Sequence, residues 1–215
     1  MTIMKRIQNL RIDYSGKSLD TNKINKNPIK EFKKWFKEAQ SKDILEPNAM
    51  TLSTLSANKN INSRTVLLKG VNNKGFIFFT NYESRKGNDI KLNNTVSLVF
   101  LWKELEKQII IKGRAKKISK KESDKYFQSR PRSSRIAAWA SNQSKKISYE
   151  NELEESFLKY EEKFKDKKIP LPDFWGGFLV EPKSIEFWIG KKSRMHDRTI
   201  YLKNLKSWKI QKLYP

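Results

Sequence analysis

From Pro28 onward, Ile29, Phe32, Trp35, Phe36 and Ala39 recur at three- and four-residue intervals. They share one face of a helix that the proline opens. From Met50 the pattern shortens to strand-length runs: Met50–Ser56, Arg64–Lys69, Gly75–Asn81, Thr95–Trp102 and Lys107–Ile118, the last with Gly113 as a candidate bulge. Asn58-Lys59-Asn60 and Asn72-Asn73-Lys74 supply turn chemistry between them. Ser84 is placed to cap a short helix beginning Arg85-Lys86. Ser119-Lys120-Lys121-Glu122 has the spacing of a capping box and opens a helix through about Ser129, which Pro131 ends. Ser148 is expected to cap another helix with Leu153, Phe157, Leu158 and Phe164 inward, stopped by Pro170 and Pro172. Four strands close the chain: Trp175–Val180, Ser184–Ile189, Thr199–Leu202 and Ser207–Leu213. Many short strands with helices between them predict a mainly β, α+β chain: a β-barrel core carrying peripheral helices. Neither an alternating βαβ rhythm nor a Gly-x-Gly-x-x-Gly run is present, which argues against a dinucleotide-binding fold.

Residues 1–27 are polar, rich in Asn and Lys, and without sustained period. They are expected to form a mobile arm, with 28–215 as a single domain. Only 37% of the 215 residues are hydrophobic, but 12 Phe and 6 Trp bury much area each. The net charge of +23 raises nucleic acid as a partner. The cations are mostly scattered lysines, however, and no interleaved aromatic and basic platform for single strands is evident. The expectation is therefore no nucleic-acid partner, with a basic nucleic-acid-binding protein as the alternative from another class. With no cysteine, thiolate chemistry and disulfides are excluded. The apolar run Val96–Trp102 is too short to cross a bilayer and the first ten residues carry no apolar leader. No membrane partner and a cytoplasmic location are expected.

Three clusters carry candidate chemistry. The chain's one histidine lies in Arg194-Met195-His196-Asp197-Arg198, just after Glu186-Phe187-Trp188. In an extended segment Arg194, His196 and Arg198 point the same way and suit a small anion; a solvated basic turn is the plainer reading. Arg64-Thr65-Val66-Leu67-Leu68-Lys69 puts a cation at each end of an apolar strand, and Thr80, Arg85 and Lys86 follow at a strand end and a helix start. Cations at a helix N-terminus oppose its dipole, so an anion there would relieve them. The third cluster is Tyr126-Phe127-Gln128-Ser129-Arg130-Pro131-Arg132-Ser133-Ser134, followed by Trp139 and Gln143-Ser144. It fits a second phosphate or a solvated joint between helices. Acid–base equipment is sparse, and one His with scattered carboxylates makes no metal site. Such a chain suits an enzyme whose cofactor does the hard chemistry.

These residues, together with Gln108, Phe174-Trp175-Gly176-Gly177-Phe178 and Glu186-Phe187-Trp188, closely resemble the pyridoxine/pyridoxamine 5′-phosphate oxidase family. The resemblance runs from Arg11 to Pro215. It implies a split β-barrel that binds FMN, works as a homodimer and acts as a pyridoxal 5′-phosphate synthase, with O2 as acceptor. By resemblance, Arg64, Thr65, Val66, Leu67, Leu68, Lys69, Phe79, Thr80, Arg85, Lys86, Gln108, Gln143, Ser144, Trp188 and Arg198 belong to the cofactor site. Arg11, Tyr14, Lys69, Tyr126, Arg130, Ser134, Arg194, Met195 and His196 belong to the substrate site, with Arg194 and His196 beside the reacting atoms. A flavin reductase on the same barrel would share the first set and lack the second. Ile12-Asp13 and Phe79 depart from the family pattern, and Gly87 stands where a better helix former is expected.

Overall fold

The computed structural model describes residues 7–10, 12–19 and 23–215. In chain order its elements are α1 (Pro28–Ser41), β1 (Ala49–Leu55), β2 (Ile61–Leu67), β3 (Gly70–Asn72), β4 (Gly75–Asn81), α2 (Arg85–Leu92), β5 (Thr95–Trp102) and β6 (Lys107–Lys117). Then come α3 (Lys120–Ser129), α4 (Arg132–Ala140), α5 (Glu152–Lys163), β7 (Trp175–Ile189), β8 (Asp197–Asn204) and β9 (Ser207–Leu213). The strand order is β2-β1-β5-β6-β7-β4-β3, with β8 pairing β7 and β9 pairing β8.

Two compact units emerge. The first comprises the described residues up to Pro47, with Val99–Ile111 and Lys183–Pro215. Here Asn27 caps α1 by accepting from the Ile29 amide, and Pro28 occupies the first turn, where its missing N–H costs nothing. The predicted face is buried: Ile29, Phe32, Trp35 and Ala39. Phe32 meets Phe100 at 5.1 Å and Trp35 meets Phe187 at 5.0 Å between ring centroids. Glu31 is also fully buried on that helix, satisfied by the Asn25 backbone and side chain and by the Trp35 indole N–H. Strands β8 and β9 form an antiparallel hairpin from Arg198↔Leu213 to Asn204↔Ser207. Within segment 12–19, the Gly16 amide donates to the Gly190 carbonyl, the Ser15 amide to Glu106, and the Leu19 amide to Asp197.

The second unit comprises Asn48–Leu98 and Lys112–Pro182. Strands β1 and β2 pair antiparallel from Ala49↔Leu67 to Leu55↔Ile61. Strand β4 pairs with the start of β7, from Phe76↔Val180 to Asn81↔Trp175. Ser119 and Glu122 form the reciprocal capping box that opens α3. Phe127, Ile136, Phe164, Ile169 and Trp175 make an apolar cluster beneath α3, α4 and α5.

Several expectations are corrected. The two strands expected over 175–180 and 184–189 are one strand, β7, running through Pro182. Pro182 falls between the ladder to β4, which ends at Val180, and the ladder to β8, which starts at Ser184, where a missing donor is tolerated. Strand β2 starts at Ile61, which is exposed and breaks the apolar signal. Helix α4 follows Pro131 directly, so the segment is a joint between helices, the plainer of the two readings, although no bounds were expected for the second helix. Helix α5 starts after Asn151 rather than Ser148, and Leu153 and Leu158 face outward at 46% and 61% exposure. Gly113 is required by a close approach: a Cβ there would lie 2.3 Å from the Glu181 carbonyl oxygen.

Candidate active site

In the second unit, the end of β4 and the start of α2 assemble a cationic pocket. The Ser84 hydroxyl accepts from the Gly87 amide at 3.3 Å and donates to the Asn81 carbonyl at 2.7 Å, fixing the helix start. This places Lys86 in the wall, 8% exposed. Its Nζ donates to Thr80 Oγ1 at 3.2 Å, Ser84 Oγ at 3.2 Å and Gln143 Oε1 at 3.0 Å, all neutral oxygens. Burial, then the nearby Arg64 guanidinium, pull the Lys86 pKa down to about 8. Arg64 projects from β2, donating to Thr54 Oγ1 at 2.7 Å and the Leu52 carbonyl at 3.2 Å, with Asp89 at 3.9 Å. Burial lowers the Arg64 pKa, Asp89 raises it and Arg85 lowers it again. Asp89 is shared, accepting also from Thr54 and Asn62. Arg64, Arg85 and Lys86 thus concentrate positive charge at a helix N-terminus. Lys86 in particular holds a buried ammonium against neutral partners, a donor set that fits a phosphate.

Lys86 and Thr80 line a cavity of about 370 Å³. Thr65, Val66, Leu67 and Lys69 from β2 and its exit, Phe79 from β4, and Gln143 line it too. Tyr126 and Arg130 from α3 and its end line it as well, joined by Trp175, which was not among the anticipated site residues. Phe79 stacks on Tyr126 at 3.9 Å and on Trp175 at 5.6 Å between centroids. The Arg130 guanidinium lies 4.8 Å from the Trp175 ring centroid, within cation–π range. Burial lowers the Arg130 pKa and raises that of Tyr126. Leu68, Arg85, Ser134 and Ser144 do not line it: Leu68 is buried, Arg85 is exposed on α2, Ser134 lies on α4, and Ser144 takes a left-handed φ of 73° in the loop after it.

In the first unit, Tyr14, Trp188 and His196 cluster. His196 is 4.8 Å from Trp188 and 5.6 Å from Tyr14 between ring centroids. The His196 Nδ1 accepts from the Lys191 amide at 3.1 Å, so the neutral ring carries its proton on Nε2. Arg198 donates through Nε to Glu186 at 2.8 Å and through Nη1 to the Tyr214 carbonyl at 3.1 Å. The extended geometry expected for 194–196 is not found. Lys192–Arg194 form a 3₁₀ turn, with Ser193 and Arg194 at φ 55° and 58°, and Arg194 and Met195 are exposed. Alternation therefore does not set where Arg194 points. Gln108 is half-buried on β6; Arg11 lies outside the described residues. The anticipated residues thus fall into two groups, one in each unit.

Sequence reading missed Asp89, Thr54 and Arg135. Asp89 had a signal: it is the only acid in α2 and lies four residues from Arg85. Arg135, on helix α4, had none. Among the described residues no group of three His, Asp or Glu could hold a metal, and no helix is long and apolar enough to cross a membrane.

Residues 36–163 match the family model described as pyridoxamine 5′-phosphate oxidase. Residues 175–215 match the model for the pyridoxine 5′-phosphate oxidase C-terminal dimerisation region. A pyridoxine/pyridoxamine 5′-phosphate oxidase of Trichormus variabilis is 45% identical over 98% of this chain and 99% of that protein. A second, from Hydrogenovibrio crunogenus, is 47% identical over 97% of this chain and 98% of its own length. Among solved structures, PhzG of Burkholderia lata in complex with tetrahydrophenazine-1-carboxylic acid is similar at TM-score 0.87 and 28% identity, over 94% of this chain and all of that one. A pyridoxamine 5′-phosphate oxidase-related, FMN-binding protein of Nostoc punctiforme shares the fold at TM-score 0.70 and 14% identity, over 86% of this chain and 97% of that one. The chain belongs to the pyridoxamine 5′-phosphate oxidase family: it is a split-barrel oxidase, and its cofactor is FMN.

Proposed function

We propose that this chain oxidises pyridoxamine 5′-phosphate or pyridoxine 5′-phosphate to pyridoxal 5′-phosphate in the cytoplasm. O2 takes the electron pair and leaves as H2O2; the amine substrate also consumes water and releases ammonia. The observation that carries this reading is one cavity lined by more than one cation, Lys86, Lys69 and Arg130, together with the stacked rings of Phe79, Tyr126 and Trp175. Two phosphate monoesters, one on the cofactor and one on the substrate, would each find a cation there.

In this reading Arg64, Arg85, Lys86 and the Thr80 hydroxyl hold the FMN phosphate. Thr65, Val66, Leu67 and Leu68 supply backbone and side-chain surface along the flavin, which supplies the two-electron acceptor. Gln108, Gln143, Ser144, Trp188 and Arg198 complete its surroundings. Lys69, Tyr126, Arg130 and Ser134 hold the substrate phosphate, and Arg194, Met195, His196 and Tyr14 flank its ring. Arg194 offsets charge developing on the substrate. His196, oriented by the Lys191 amide, holds a proton on Nε2 for the substrate to share. Binding geometry does most of the work, because the reacting carbon must be held against the acceptor with water excluded. The match of residues 175–215 to the dimerisation region supports a homodimer in which both subunits contribute to each site.

The test is paired. Apoprotein titrated with FMN and with riboflavin should retain only the phosphorylated flavin tightly. The FMN-loaded protein should then form pyridoxal 5′-phosphate and H2O2 one for one from pyridoxamine 5′-phosphate. Equal affinity for both flavins, or product without H2O2, overturns the reading.

A further inference from the structure

Among the described residues, the buried side-chain nitrogens and oxygens that lack a hydrogen-bond partner are Arg130 Nη1 and Arg135 Nε. Buried polar atoms are nearly always paired, and a buried cation more strictly so. Both orphans sit on guanidinium groups, which stay charged at any physiological pH. Arg130 lines the cavity, 4.8 Å from the Trp175 ring centroid. Arg135, outside the cavity lining on α4, is anchored by donating from Nη1 to Gln128 Oε1 at 2.9 Å. Gln128 is in turn held by Asp124 and by the Ile169 carbonyl, which fixes the anchor. Arg135 also lies close enough to depress the Arg130 pKa by direct repulsion. Two adjacent guanidinium groups with unanswered nitrogens repel one another unless an anion joins them.

We propose that Arg135 is a positioning and specificity-determining residue for the substrate phosphate. It sets a second positive charge near Arg130, so that the site selects a doubly charged phosphate over singly charged or neutral end groups. A phosphate monoester carries close to two negative charges at neutral pH. Arg130 and Lys69 meet the phosphate by contact; Arg135 strengthens the field at Arg130 without touching the reacting atoms. The inference rests on the pyridine phosphate reading above, since it concerns the same cavity.

The test uses FMN-loaded protein and the variants R135Q and R135K. The glutamine removes the charge while keeping a polar amide, and the lysine restores the charge, so R135K separates loss of charge from loss of the Gln128 contact. For R135Q, KM for pyridoxamine 5′-phosphate and the dissociation constant of inorganic phosphate, read by quenching of Trp fluorescence, should both rise about tenfold. Its kcat should stay within twofold, and R135K should recover most of the affinity. Unchanged phosphate affinity in R135Q overturns the proposal, as does a fall in kcat with KM unchanged. The two readings fail separately. Parent protein that binds phosphate, loses that binding in R135Q and oxidises no pyridine phosphate sinks the proposed function and leaves this inference standing.

Discussion

Lys86 shows how one residue can link stability, charge and ligand. Its pKa is about 8 in the folded protein, against an ordinary lysine value of 10.5, because burial penalises the ammonium. Between those two pH values the unfolded chain binds a proton that the folded chain does not, so stability rises with pH across that window. Below pH 8 both states are protonated and the penalty is present in full. Thermal melts of apoprotein at pH 7 to 10 should therefore show a positive slope above pH 8 that K86Q lacks; parallel profiles would refute it. A bound phosphate reverses the preference by stabilising the ammonium, so FMN affinity should fall as pH rises above about 8 in the parent and stay flat in K86Q. A second prediction concerns the histidine segment. Arg194 is exposed and has no role in the Lys86 pocket, so R194A should stay yellow while kcat/KM falls about a hundredfold. H196A should lose less. R198A should instead loosen FMN, because it strands the Glu186 carboxylate that Arg198 now meets at 2.8 Å. Flavin content measured beside kcat/KM separates the three, and loss of flavin from R194A with full activity per remaining flavin would move Arg194 into the cofactor site.

At the scale of elements, helix α2 reverses what propensity alone says. Alanine is worth about 1 kcal/mol more than glycine inside a helix. A Cβ at Gly87, however, would lie 2.1 Å from the Tyr82 carbonyl oxygen and 2.8 Å from its Cα. Backbone cannot step aside as a flexible side chain can, so G87A should destabilise by about 2 kcal/mol, the usual cost of overpacking, and lower the melting temperature. A rise would show that the turn relaxes freely. The same contrast explains what could be read from sequence. Strand β4, strand β5 and the capping-box start of α3 were legible because periodicity and caps are local signals. The join through Pro182 was not, because it depends on β7 changing partners between Val180 and Ser184. The outward turn of Leu153 and Leu158 was hidden for a similar reason: only tertiary packing decides which side of α5 is inner. The cations Lys86 and Arg130 that line the cavity, and Arg64 beside Lys86, stood out in the sequence. The pairing of Asp89 with Arg64 and Thr54 did not, since those partners lie far away in sequence, and the role of Arg135 did not, since it depends on how α4 packs beside Gln128 and Arg130.

For the whole molecule, 46 Lys and Arg against 23 Asp and Glu leave a net charge of +23. So large an imbalance strains the compact state by self-repulsion. Raising ionic strength shortens the screening length from about 30 Å at 0.01 M to about 8 Å at 0.15 M. The melting temperature should therefore climb with sodium chloride and level off. Phosphate at equal ionic strength adds a different effect. It screens the scattered lysines equally well, but it also occupies the cavity lined by Lys86 and Arg130, stabilising the folded form by mass action. Apoprotein should accordingly melt higher in phosphate than in chloride, and the excess should saturate as a binding curve does. The excess should shrink in K86Q and in R130Q and vanish once FMN and substrate fill the cavity, while the chloride response stays the same in all of them. Duplex DNA draws on the scattered charge alone, so its binding should collapse between 0.05 and 0.2 M salt, roughly the range over which counterion release loses its hold. Tight DNA binding that survives this salt, together with identical melting in phosphate and chloride, would mean that the charge serves nucleic acid and that the cavity's cations are not an anion site.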